Sequence, residues 1–158
     1  GLAPSPSLDR EEERALEDRC GDASVQVRKK ALDVLTSRAG GSIEAAQSWV
    51  RSCLPLVRDS ESTCQERTAN AALDLIIAPL ASSSQTKPPP DSTWRLLSSM
   101  GDADGDKANL QHCLRLLSKR RPTGVPPHLA KRLMELLRAE PNKQQLWWLA
   151  EEVSPLQP

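Results

Sequence analysis

One pattern recurs along this chain at an interval of 37 residues, and it restricts the fold more than any other feature: Asp22-x5-Arg28 runs into Lys29-Lys30-Ala31-Leu32, and Asp59-x5-Gln65 runs into Glu66-Arg67-Thr68-Ala69. Each block follows one apolar-periodic segment and opens the next. A repeat of this length holds two helices and a turn, and such a unit buries its apolar stripe only against its neighbours. The spacing therefore predicts antiparallel helix pairs stacked in a row. It sets Asp22 and Asp59 in the tight turn within each pair, where a carboxylate accepts backbone amides at the start of the following helix.

Apolar spacing supports helices throughout and strands nowhere. Residues 8–20 offer Leu8, Ala15, Leu16 and Cys20 to a core. Residues 23–38 place Val27, Ala31, Val34 and Leu35 on one face before Gly40-Gly41 ends the helix. Residues 43–57 continue through Ile43, Ala46, Val50, Cys53, Leu54 and Val57, with Pro55 expected to bend the helix. Ser62 and Gln65 stand at capping-box spacing, and Cys64, Thr68, Ala72, Leu75 and Ile76 form a buried face up to Pro79.

Ser82-Ser83-Ser84 and Pro88-Pro89-Pro90 then read as a linker over 81–93. Four shorter helices follow. Their faces are Trp94 with Leu97; Leu110, Cys113, Leu114 and Leu117; Leu129, Leu133, Leu136 and Leu137; and Leu146, Leu149, Ala150 and Val153. Pro126-Pro127 and Asn142 are natural starts for the last two. The expected architecture is all-α, an α-solenoid of antiparallel helix pairs with about eight helices. It divides into a disordered N-terminal run over 1–7, two repeats over 8–80, the linker over 81–93, and further short helices over 94–155.

Phe and Tyr are absent, so Leu, Ala and Val with four Trp must fill the interior, which suits thin two-helix layers better than one thick core. The chain opens at Gly1 in a loose polar run, and the sequence reads as a segment of a longer array. Lysine and arginine balance aspartate and glutamate, so global charge predicts no polyanionic partner. The distribution is uneven. Residues 9–22 carry seven acids, whereas Lys107 to Arg138 holds eight basic residues against Glu135. Lys119, Arg120, Arg121, Lys131 and Arg132 are therefore candidate contacts to a nucleic-acid backbone; a solvated basic face is the plainer expectation.

Nothing in the sequence assembles a catalytic or metal-binding set. His112 and His128 stand without ligand spacing, Gly101-Asp102-Ala103-Asp104-Gly105 lacks the downstream Glu of a calcium loop, and no phosphate-binding glycine loop occurs. The expectation is no catalytic residue, no cofactor, no metal and no small-molecule substrate. Cys20, Cys53, Cys64 and Cys113 form no C-x-x-C pair and read as buried free thiols. Adjacent residues on a helix point ~100° apart, so one of Trp147 and Trp148 should be core and the other a packing or partner contact. No apolar run reaches the ~20 residues of a membrane span, and no signal peptide or N-x-S/T sequon is present. The chain reads as intracellular and soluble, with no membrane partner.

The block from Leu16 to Leu35, with Asp22, Val27, Arg28, Lys29, Ala31 and Leu32, resembles a HEAT repeat of the condensin type. Leu54-Pro55-Leu56-Val57-Arg58-Asp59 through Gln65-Glu66, continuing to Leu75-Ile76-Ile77-Ala78-Pro79-Leu80, is similar to the HEAT-repeat (non-SMC) subunits of condensin II. Trp94-Arg95-Leu96-Leu97 and Leu146-Trp147-Trp148-Leu149-Ala150 resemble later short helices of those subunits. Gln65 departs from the family, whose repeats carry Arg there. The resemblance implies a scaffold in mitotic chromosome condensation, at work in the nucleus and on the chromosome. Its partners would be kleisin and SMC subunits, with ATP hydrolysis left to the latter and chromatin or DNA engaged. It also implies repeat-structural roles for Asp22, Arg28, Asp59 and Gln65. The alternative is a HEAT or armadillo-type adaptor of another class, a transport receptor or a phosphatase scaffold.

Overall fold

Two helix starts in this chain are set by short polar side chains that take up free backbone amides. Asp9 accepts from the Glu12 amide at 2.8 Å while Glu12 accepts from the Asp9 amide at 3.1 Å, a complete capping box that opens α1 (Arg10–Arg19). Ser42 accepts from the Ala45 amide at 3.1 Å and opens α3 (Ile43–Ser52), after α2 (Val25–Arg38). The chain then runs through a 3-10 turn (Leu54–Arg58), α4 (Ser62–Ala72), a π turn (Leu73–Ile77) and α5 (Ala78–Ser82). It ends with α6 (Asp91–Ser98), α7 (Asp106–Ser118), α8 (Leu129–Ala139), α9 (Gln144–Val153) and a closing 3-10 turn (Ser154–Leu156). These elements come from a computed structural model that describes residues 8–101, 105–120 and 124–156. The run over 1–7 lies outside the described residues.

Among the described residues no strand occurs. Because α4, the π turn and α5 make one continuous rod, the segments amount to eight helical rods. The rods pair and stack. One layer runs α1, α3, α6; the other runs α2, α4, α7; and α2 also packs on α3, as the 3-10 turn does on α4 and α7. Beyond them α8 rests on α5 and on α9. This is an all-α solenoid of antiparallel, HEAT-like helix pairs.

The core is a continuous seam between the two layers rather than a central globule. Leu32, Leu35, Ala46, Val50, Cys53, Leu54, Ile76, Ile77 and Leu80 are buried, followed by the four leucine-rich faces of the second half. Its largest fully buried side chain is Trp49, whose indole donates to Thr36 Oγ1 at 3.0 Å. Trp49 is not among the expected core positions, although its spacing of three from Ala46 and four from Cys53 puts it on the same stripe.

Several local expectations are corrected. Ala15 is exposed, lying off the face of α1 that meets α2 and α3. Ile43 is also exposed, and Val27 and Val34 are half-buried while Leu32 takes the interior. Pro55 does not bend a long helix. The α-helix stops at Ser52 and Pro55 stands in the first turn of the 3-10 segment, where its missing amide costs nothing. Pro79 does not end a helix either. The π turn widens the backbone just before it, and Pro79 falls in the first turn of α5. In α-helical register the Leu75 carbonyl would accept from residue 79, which has no amide. Thr93 Oγ1, buried on α6, donates to that carbonyl at 3.1 Å. The segment after Ser82 is shorter than its composition indicates, since α6 already begins at Asp91 and both Ser83 and Pro89 are buried.

Candidate interaction surface

The two turns at the sequence repeat carry matching hydrogen bonds. Asp22 Oδ1 accepts from the Ser24 amide at 2.8 Å, and Asp59 Oδ1 accepts from the Glu61 amide at 2.9 Å. Six residues on, Arg28 Nη1 donates to the Asp22 carbonyl at 2.8 Å, and Gln65 Nε2 donates to the Asp59 carbonyl at 2.6 Å. Ser62 consequently does not form a capping box with Gln65. The N-cap is Glu61, without a side-chain cap bond, and Gln65 closes the turn instead.

Arg28 also crosses to the next repeat. Its Nε and Nη2 donate to Asp59 Oδ2 and Oδ1 at 2.9 and 3.0 Å, a bidentate fork whose side chains are only 12% and 8% exposed. Burial raises the Asp59 carboxyl, but the Arg28 fork and the Glu61 amide outweigh it and hold the group below the usual carboxylate range. In the layers on either side, Ser48 and Arg51 of α3 grip Glu17 of α1, and Arg67 of α4 pairs with Asp33 of α2. Burial again raises Glu17, and the bonds from Arg51 and Ser48 bring it below its ordinary value.

At the second junction no such fork forms among the described residues, and Gln65 is short and neutral. Arg58, next to Asp59, bridges instead. Its Nε donates to Asn109 Oδ1 at 2.7 Å and its Nη2 to the Ala108 carbonyl at 3.5 Å. Asn109 stands at the fourth position of α7, as Gln65 does in α4 and Arg28 in α2. Arg120 reaches back to Asn70 at 2.6 Å and Glu66 at 4.0 Å, while Arg95 donates to the Gly40 carbonyl at 3.0 Å. Further along, Lys143 lies over the Trp94 ring and Lys107 over Trp148. Neither Trp147 nor Trp148 is core: Trp147 is exposed with its indole on the Pro141 carbonyl, and Trp148 is half-buried.

The expected basic contacts divide by environment. Arg120 is tied to Asn70 and Glu66, and Arg132 to Ser83 and Glu135. Lys119 and Lys131 are exposed, and Arg121 lies outside the described residues. A different grouping forms on α7, where His112, Arg115 and Lys119 follow one another at helical spacing beside Arg58. Burial first, then Arg58, Arg115 and Lys119, push His112 below the usual imidazole range.

All four cysteines are free and buried. Cys20 and Cys53, at the C-terminal ends of α1 and α3, act on each other: the pairing draws the first thiol down and, with burial, pushes the second up. Burial pushes Cys113 up to about 12. All four are packed in the interior. Among the described residues no group of histidine, cysteine and acids is placed to hold a metal ion, and no helix is long and apolar enough to cross a membrane.

Stacked helix pairs clamped through their turns and layers define a helical-repeat protein, whose working surface is the stack itself. The chain is 32% identical over 88 residues to the condensin-2 complex subunit D3-L of Xenopus laevis, a match covering 52% of this chain and 6% of that protein. The chain thus spans a small fraction of its relative's length. No protein-family model matches it, and no solved structure matches it.

Proposed function

We propose that the chain is a non-catalytic scaffold segment of a condensin II complex, supporting subunit assembly and chromatin engagement in mitotic chromosome condensation. The observation that carries this reading is its 32% identity over 88 residues to part of a condensin-2 complex subunit, borne on a stack of helix pairs. The partners in that setting are the kleisin and SMC subunits, with chromatin as the larger target and the nucleus and chromosome as the location. Physically, a clamped row of repeats offers a long continuous surface, and contacts distributed along it bind well without a deep pocket.

The test is purification of the tagged protein from nuclear extract, with and without residues 8–80, followed by identification of stable partners. Recovery of kleisin and SMC subunits, lost on deletion, is the expected result. Recovery of transport or phosphatase subunits in their place would reassign the chain to another class of adaptor. ATP turnover by the purified array alone would sink the scaffold reading.

A further inference from the structure

A single-sign face runs along α7. At ~100° and ~1.5 Å per residue, positions 112, 115 and 119 fall within an arc of about 60° and span about 10 Å of helix. Arg58 extends the row at its N-terminal end, because its guanidinium is fixed on Asn109 and Ala108, one turn before His112. Arg115 and Lys119 are exposed and make no side-chain ion pair or hydrogen bond with the described residues. The acids that approach α7 from neighbouring elements are already engaged: Glu66 of α4 faces Arg120, and Glu152 of α9 holds Gln111. Asp106, in the first turn of α7, accepts from the Gly101 amide. Every charged group that acts on His112 is a cation.

We infer that this face, formed by Arg58, His112, Arg115 and Lys119, binds the phosphate backbone of nucleic acid. Successive phosphates on one strand of a duplex rise about 3.4 Å along the axis and, with the helical turn, stand about 7 Å apart, so a row of this length meets about two in succession. An acidic peptide fits less well. The row has no apolar anchor beside it to seat a peptide side chain: the exposed large apolar side chains among the described residues, Ile43, Met134 and Trp147, all lie on other helices. Half-buried His112 adds a signature. Burial and the neighbouring cations disfavour its charged form in the free protein; a bound phosphate stabilises the imidazolium, so binding takes up a proton and tightens as pH falls. The inference draws on the chromosomal reading only for its choice of duplex DNA as probe, and it is tested without any partner protein.

The experiment is fluorescence anisotropy of a labelled duplex of ~20 base pairs with the full chain, over a range of salt concentrations. The expected result is sequence-independent binding that weakens steeply with salt. Arg115→Glu with Lys119→Glu should lower affinity about tenfold or more and flatten the salt slope by about two. Both residues lack side-chain partners among the described residues, so an unchanged thermal midpoint will show that the fold is intact. Lys131→Glu, on α8, should change affinity far less. His112→Gln should abolish the tightening between about pH 7.5 and 5.5, roughly one unit either side of a free imidazole. Affinity unaffected by the double reversal, or a loss equalled by Lys131→Glu, overturns the assignment. So does displacement of the duplex by polyglutamate as readily as by unlabelled DNA at equal charge. Loss of DNA binding with retention of kleisin and SMC partners would separate this face from the scaffold role.

Discussion

At Asp59 a carboxylate that burial alone would raise is instead held charged, because Arg28 reaches it from the preceding repeat and the Glu61 amide from its own turn. The folded group therefore titrates lower than in the unfolded chain. Its contribution to stability is complete above the ordinary carboxylate range and is lost as pH falls through the depressed folded value. Asp59→Asn keeps the shape and removes the charge. Thermal melts from pH 7 down to about 3 should show a lower midpoint at neutral pH and a shallower acid limb. Glu17 is held low by the same kind of contact, so the limb flattens in part rather than vanishing. An acid limb identical to wild type would show that the fork does no net stabilising. Core positions obey a different rule. Leu32 is fully buried, and Leu32→Ala should cost about 2–5 kcal/mol; Leu75 is only half-buried, and its truncation should cost less by denaturant unfolding.

Between single residues and the stack, the rod formed by α4 and α5 shows how a helix crosses a proline. The π turn and the Thr93 hydroxyl together replace what the Pro79 amide would have given the Leu75 carbonyl. Thr93→Val removes the donor without changing volume and should cost about 1–3 kcal/mol, because the carbonyl loses its partner in a closed interface. In a Pro79→Ala background the new amide can serve that carbonyl, so the cost of Thr93→Val should shrink. A double-mutant cycle by chemical denaturation measures the difference; strict additivity of the two substitutions would remove the proposed exchange of donors. Such features also explain what was legible beforehand. Apolar spacing located the leucine faces of α7, α8 and α9 residue by residue, since burial follows from the 3.6-residue period. It misplaced Pro55 and Pro79, because a 3-10 or π turn changes that period by a fraction of a residue. It assigned Ser62 and Gln65 to one cap, because it could not see that Asp59 already claims the amide ahead of them. Nor could a one-dimensional pattern find the face on α7, whose fourth member, Arg58, lies in another repeat.

For the molecule as a whole, a stack joined through neighbours has no reason to open uniformly. α1 buries none of its residues fully and meets α2 and α3 from one side. Its hold on the stack is mostly polar, through Glu17 to Ser48 and Arg51. By contrast, α4 buries Cys64, Thr68, Ala69, Ala71 and Ala72, touches α2, the 3-10 turn and α7, and continues into α5 beneath α8. In a chain of nearest-neighbour contacts, opening α1 breaks one interface, whereas opening α4 breaks those on both sides. Hydrogen exchange followed by mass spectrometry should therefore show α1 exchanging by local opening, well before global unfolding. α4 and α7 should be protected to nearly the full unfolding free energy. Arg51→Ala should speed exchange in α1 and leave α4 unchanged, since it loosens Glu17 without reaching the Arg28–Asp59 fork. Asp59→Asn, which breaks the fork that joins two repeats, should instead bring forward exchange in α2 and α4 together. Equal protection of α1 and α4, or an Arg51→Ala effect spread evenly over every helix, would mean that the stack opens as one cooperative body and not repeat by repeat.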